Sequence, residues 1–127
     1  MLKDVQAFSG FSVDNLQRAK QFYSEILNLG VSVNEEMPML HLHIQGSSDI
    51  MVYEKHNHQP ATYTVLNFPV EDIDLVVREL KAAGVQFESY DLPQLKTDED
   101  HIMRGNGPDI AWFKDPAGNI FSVIGIK

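Results

Sequence analysis

His41 and His43 stand two apart in a stretch that reads as a strand, so their side chains share one face. With a third ligand nearby, His101 or Glu54, they would make a noncanonical metal site. The spacing alone is more often that of two half-exposed strand histidines, and His56 and His58 read as solvated residues of a polar linker. Arg104, ahead of Gly105-Asn106-Gly107, offers a cation on a loop free to close over an anionic group, or simply a turn before a strand. Trp112, Tyr53 and Tyr63 supply aromatic surface on which a planar or cationic ligand can stack, worth ~1 kcal/mol when desolvated. Ser122 is a lone hydroxyl inside the apolar run 120–126.

The rest of the composition excludes more than it suggests. There is no cysteine, hence no disulfide, thiolate ligand or thiol nucleophile, and nothing demands an oxidising compartment. No G-x-S-x-G elbow, phosphate-binding loop or interleaving of basic and aromatic residues is present, which argues against serine hydrolases, nucleotide hydrolases and nucleic-acid binders. Eighteen acidic residues against ten basic ones give a formal charge of −8, which opposes binding to phosphate backbones and favours cationic ligands. The opening MLKDVQAFSG lacks the pattern of a signal peptide, and no apolar stretch approaches the ~20 residues of a membrane span. The expectation is a soluble cytoplasmic protein with no membrane partner, built as one domain over residues 1–127.

That domain is one unit written twice. A shift of 57 positions pairs Phe11 with Phe68, Val13 with Val70, Asp14 with Glu71, Leu16 with Ile73 and Tyr23 with Leu80. Each copy starts with a strand, meets a capping residue (Asn15 or Asp14, then Asp72) and enters a helix with apolar residues three or four apart. Gly30 and Gly84 are placed as helix stops. Three short strands follow in each copy, at 31–33, 39–45 and 49–54, then at 86–89, 109–113 and 120–126. The order β-α-β-β-β, twice, predicts an α+β fold with units at about 1–57 and 61–127 and an irregular lid at 90–108. Alternation puts Phe11, Val13, Leu66, Phe68 and Val70 under the helices. Phe8, Ser12, Tyr63, Val65, Trp112 and Ser122 then fall on the opposite faces, where two sheets with helices outside would line a shared concavity.

The repeat, with Val13-Asp14-Asn15-Leu16 and the terminal Phe113-Lys114-Asp115-Pro116-Ala117-Gly118-Asn119, resembles the vicinal oxygen chelate superfamily of glyoxalases, extradiol dioxygenases, and fosfomycin and bleomycin resistance proteins. The resemblance implies a glyoxalase/bleomycin resistance fold and, in metal-using members, four ligands. Their positions fall here on Phe8, Val65, Ser122 and one of Met51-Val52-Tyr53-Glu54, of which only Glu54 could ligate. The expectation is therefore metal-independent, cofactor-free binding of a small organic molecule, cationic or planar aromatic, as in the bleomycin-resistance branch. Phe8, Met51, Tyr53, Tyr63, Val65, Trp112, Ser122 and Arg104 would form the site, in what the resemblance implies is a homodimer. The competing expectation is a glyoxalase- or dioxygenase-like enzyme whose divalent metal is displaced to His41, His43 and His101.

Overall fold

The computed structural model describes residues 1–105 and 107–126 and divides into two compact units, Met1–Pro60 and Ala61–Lys127. The first holds β1 (Gly10–Val13), α1 (Leu16–Gln21) running into a π-helical turn at Phe22–Ile26, β2 (Gly30–Asn34), β3 (Met39–His43) and β4 (Ile50–Glu54). Its sheet has the order β1-β4-β3-β2, with β1 and β4 parallel and the other pairs antiparallel. Asn15 caps α1 by accepting the Arg18 N–H at 3.0 Å. The stop differs from the expected Gly30: the wide π turn ends at Asn28, which takes φ 57, a left-handed conformation asparagine tolerates. Gly30 instead opens β2 opposite His43.

One face of this sheet is apolar because its strands alternate. Val13, Leu40, Leu42, Ile50 and Val52 are buried on the helix side with Ala19, Phe22 and Tyr23, and Tyr23 packs edge-on against Phe11 and Phe22. Each such aliphatic side chain contributes about 1.5–3 kcal/mol by burial. Gly10, Ser12, Ser32, His41, Met51 and Tyr53 alternate with these residues and take the other face.

The second unit holds β5 (Thr64–Val70), α2 (Ile73–Ala82), a two-residue-strand hairpin β6 (Asp91–Leu92) and β7 (Leu95–Lys96), β8 (Ile110–Lys114) and β9 (Ile120–Gly125). Its main sheet is β5-β9-β8, with β5 and β9 parallel. Asp72 caps α2 through the Leu75 N–H at 3.1 Å, and Gly84, at φ 105, ends it as expected. The strand predicted at 86–89 is reduced to a bridge between Phe87 and Phe113, with the Glu88 N–H donating to the Trp112 carbonyl at 2.8 Å. Only Val85 and Phe87 point into the core there, and the chain then departs into β6. That small hairpin lies within the stretch expected to be irregular. Phe113 anchors the core, edge-on to Phe87 and Phe121 with centroids 5.6 Å apart in both pairs.

The β8–β9 turn is closed by a buried carboxylate. Asp115 accepts the backbone N–H groups of Ala117 and Asn119 at 3.0 and 2.8 Å and the Asn119 amide at 3.0 Å, while Gly118 takes φ 89. This is the physical content of the Asp-Pro-x-Gly-Asn sequence: acceptor, preset φ, and left-handed glycine in order.

Candidate functional site

In the first unit the open sheet face collects the chemistry. Gly10 stands opposite Met51 in the β1–β4 register, and His41 stands opposite Met51 on its other side. A Cβ on Gly10 would fall 3.2 Å from Met51 Cε, so the absence of a side chain there is what lets the thioether lie across β1. Tyr53 is likewise flanked by Ser12 and Met39. Beside them opens a groove of about 450 Å³ lined by Gln6, Phe8, His41, Ser47, Ser48 and Asp49. Phe8 precedes β1 and is 65 % exposed, an aromatic ring presented to solvent rather than packed. The expected site residues Phe8, Met51 and Tyr53 thus belong to this face or its groove.

The histidines are more engaged than the sequence suggests. His43 Nδ1 lies 2.8 Å from Asp49 Oδ1, and its Nε2 lies 2.9 Å from Ser32 Oγ. His58, read as a solvated loop residue, is instead tied to β1, its Nδ1 lying 2.6 Å from Ser12 Oγ. Glu54 follows Ile50 and Val52 onto the helix side, where its carboxylate accepts the Leu16 N–H at 2.9 Å at the start of α1. A negative charge is favoured there by the unpaired N–H groups of the helix. Neither ligand set expected under the displaced-metal alternative assembles: among the described residues, no group of three or more His, Asp or Glu is placed to hold a metal ion.

In the second unit Ser122, Asn67 and Trp112 lie side by side, since Ser122 is the register partner of both. Ser122 is 1 % exposed and its hydroxyl donates to Asn67 Oδ1. Trp112 sits edge-on to Tyr90 at 5.6 Å, and burial of the Tyr90 phenol, together with the nearby Glu88, raises that group's pKa. Val65 is the irregular residue of a bulge between Thr64 and Leu66. The bulge breaks the alternation that was to put Tyr63 on the Val65 face; Tyr63 lies in a bend outside β5 and is 69 % exposed.

Arg104 does not stand ready for an anionic ligand. Its guanidinium is shared among Asp74, Asp98 and Asp109 at 2.6, 2.8 and 3.4 Å. Hydrogen bonds to Asp74 and Asp98 hold it firmly protonated, and Arg104 in turn keeps the Asp74 carboxyl below its ordinary value. Three carboxylates already occupy the donors a clamp would use. Asn106, part of the same expected loop, lies outside the described residues.

Residues 7–123 match the model of the Glyoxalase/Bleomycin resistance protein/Dioxygenase superfamily. The chain belongs to that superfamily. Solved structures of the superfamily fold bear this out in shape. A fosfomycin resistance protein, FosX, from Listeria monocytogenes superposes with a TM-score of 0.71 at 18 % identity, covering 98 % of this chain and 94 % of that one. A superfamily member from Sphaerobacter thermophilus gives 0.70 at 19 % identity, covering 98 % and 99 %. An integron cassette protein from the mobile metagenome of a Halifax Harbour sewage outfall gives 0.68 at 18 %, covering 97 % and 99 %. No curated protein matches the chain in sequence.

Superfamily membership makes the metal positions a direct question, and the register of the two units answers the part the sequence left open. Gly10 and Asn67 are 57 apart, and they pair with Met51 and Ser122 respectively. Met51 is therefore the counterpart of Ser122, and the fourth position is not Glu54. The positions the resemblance singles out are then Phe8 and Met51 in the first unit, a phenyl ring and a soft thioether, and Val65 and Ser122 in the second, an isopropyl group and a hydroxyl already donated to Asn67. These residues do not fit a divalent cation, which needs carboxylate, imidazole or carbonyl donors. Sequence reasoning missed Ser32 and Asp49 altogether, because only the β2–β3 register and the loop before β4 bring them to His43.

Proposed function

We propose that this superfamily member binds a small organic molecule, planar aromatic or cationic, without a metal ion, on the open sheet face of its first unit. It holds the molecule rather than transforming it through a metal-bound oxygen, and it works in the cytoplasm as a homodimer. The observation that carries the reading is the groove beside Met51, walled by the exposed ring of Phe8, the imidazole of His41 and the carboxylate of Asp49. Phe8 gives the groove its aromatic wall, and Gln6, His41, Ser47, Ser48 and Asp49 supply polar groups that would orient a ligand against it. The acidic net charge favours a cation, and an aromatic wall adds stacking or cation–π attraction. The donor chemistry at Phe8, Met51, Val65 and Ser122 supports metal independence. The shared fold with a fosfomycin resistance protein supports a role in resisting or handling a small molecule. The lack of cysteine suits a reducing compartment. Among the described residues no helix is long and apolar enough to cross a membrane.

The test is a thermal-shift screen of the purified, EDTA-treated protein against quaternary ammonium compounds and planar aromatic dyes. A ligand at about 100 times its Kd stabilises the native state by roughly 2.7 kcal/mol, so a true binder raises Tm visibly. The Phe8→Ala protein should lose most of that rise, and light scattering should give twice the chain mass. Stoichiometric nickel, zinc, iron or manganese retained through purification, with binding abolished by EDTA, would overturn the metal-free reading.

A further inference from the structure

We propose that Ser32, His43 and Asp49 form a nucleophile, a general base and an orienting carboxylate that hydrolyse small activated esters. The three groups are connected in the order acyl transfer needs: Ser32 Oγ to His43 Nε2 at 2.9 Å, and His43 Nδ1 to Asp49 Oδ1 at 2.8 Å. An ionised carboxylate only accepts, so Asp49 fixes the proton on Nδ1 and leaves Nε2 to accept the Ser32 hydroxyl. No nucleophile elbow is involved, which is why the sequence gives no sign of it. The arrangement comes from register alone. Gly30, Ser32, His41 and His43 share one face of the β2–β3 pair, with Gly30 opposite His43 and Ser32 opposite His41.

Three features hold the constellation in place. A Cβ on Gly30 would lie 3.3 Å from His43 Cβ and 3.7 Å from its Cδ2, so glycine gives the imidazole room beside β2. Asp49 follows the Gly46 turn, and Ser48 beside it accepts a hydrogen bond from the Gln6 amide at 3.1 Å. Asp49 also lines the groove with Phe8 and His41, and His41, cross-strand to Ser32 with Cβ atoms about 5 Å apart, can offer a ring N–H to a developing oxyanion. The side chains are half exposed, 45 % for His43 and 54 % for Asp49, so water reaches the site and the rate enhancement is modest.

The reaction balances with water alone. Ser32 Oγ attacks the ester carbonyl carbon as its proton passes to His43 Nε2. The bond to the leaving alkoxide breaks, and the alcohol departs with that proton. Water then attacks the acyl-serine, gives a proton to Nε2, and cleavage of the Oγ–acyl bond restores the serine and releases a carboxylic acid. The groove favours a small acyl group on a planar aromatic alcohol, and only this choice of substrate rests on the binding reading above.

The probe is p-nitrophenyl acetate, with intact-mass and peptide mass spectrometry to locate the acetyl group and absorbance to follow release. The wild type and a Ser24→Ala control should acetylate Ser32. Ser32→Ala should lose that adduct and at least about tenfold of the background-corrected rate, less than the 10²–10⁴-fold a general base supplies in an enclosed site. His43→Gln should do the same. Asp49→Asn should lower the rate and shift His43 away from the Nδ1-protonated tautomer in ¹⁵N NMR, a change a merely structural role would not produce. Phe8→Ala should raise KM and leave Ser32 labelled, whether or not dye binding is found. Equal rates for wild type and Ser32→Ala, or acetylation confined to lysines, would overturn the proposal.

Discussion

The two units use an aspartate differently in the corresponding hairpin. In the second, the hairpin between β8 and β9 turns its Asp115 inward, onto the N–H groups of Ala117 and Asn119. In the first, the hairpin between β3 and β4 turns its Asp49 outward, onto an imidazole. One carboxylate is buried and closes its own loop; the other is half exposed and reaches a different strand. The contrast extends across each open face. A buried Ser122 donates to Asn67, whereas Ser32 and His43 are both exposed where they meet. A duplicated unit can thus fold twice by the same apolar alternation while its hairpin aspartate closes a turn in one copy and pairs with an exposed imidazole in the other.

Substituting the two aspartates gives the largest difference this comparison predicts. Asp115→Ala removes a charged acceptor from one buried and one part-buried N–H group and from the buried Asn119 amide, and bonds to a charged partner are each worth about 1.5–3 kcal/mol. A loss of about 3 kcal/mol is expected in urea unfolding. Asp49→Ala breaks only an exposed pair and should cost less than about 1 kcal/mol. Equal losses would erase the distinction between a closing and a reaching carboxylate.

Ser122 and Met51 sharpen the comparison at a smaller scale. They are counterparts by register, yet the first is a buried polar contact and the second a half-buried apolar one. Ser122→Ala should cost about 1 kcal/mol, because it leaves Asn67 Oδ1 without its donor. A cost near zero would mean that Asn67 finds water instead. Ser122→Glu is expected to confer no nickel or zinc binding by calorimetry, since a single carboxylate cannot hold the ion and Phe8, Met51 and Val65 carry no hard donor.

Much of the fold was legible because it depends on local patterns. The capping residues Asn15 and Asp72, the apolar spacing of the helices and the Asp115 turn each act over a few residues, and each took the form its sequence implied. Departures came where one residue changes the count. The π turn at Phe22–Ile26 moved the helix stop to Asn28, and the bulge at Val65 took Tyr63 out of phase. The candidate site was less legible, since its groups are joined by register and by charge. Arg104 reads as a free cation until Asp74, 30 residues earlier, is found against it. Ser32 and His43 are neighbours only because β2 and β3 pair as they do.

Arg104 provides the finest test, because its ion pairs give the second unit a pH dependence of calculable sign. Its hydrogen bond lowers the Asp74 pKa against a smaller opposing effect of burial. For Asp98, burial pushes upward, but the N–H groups of Ile102 and Asp100 and the Arg104 guanidinium together bring the pKa below its ordinary value. Both carboxyls therefore bind protons more weakly folded than unfolded. Their contribution is complete above the ordinary carboxylate pKa of about 4 and is lost as pH falls through the lower folded values. Arg104→Met should cost about 1 kcal/mol at pH 7, the scale of exposed ion pairs. That gap should close as pH falls below the ordinary carboxylate range and through the lowered folded values of Asp74 and Asp98, where the wild type loses the same interactions. Asp98 keeps its two backbone N–H donors in the variant, so some acid sensitivity remains. Urea titrations from pH 7 to pH 2 measure the gap directly; a gap that stays constant would assign the cost to lost packing of the arginine stem instead of its charge.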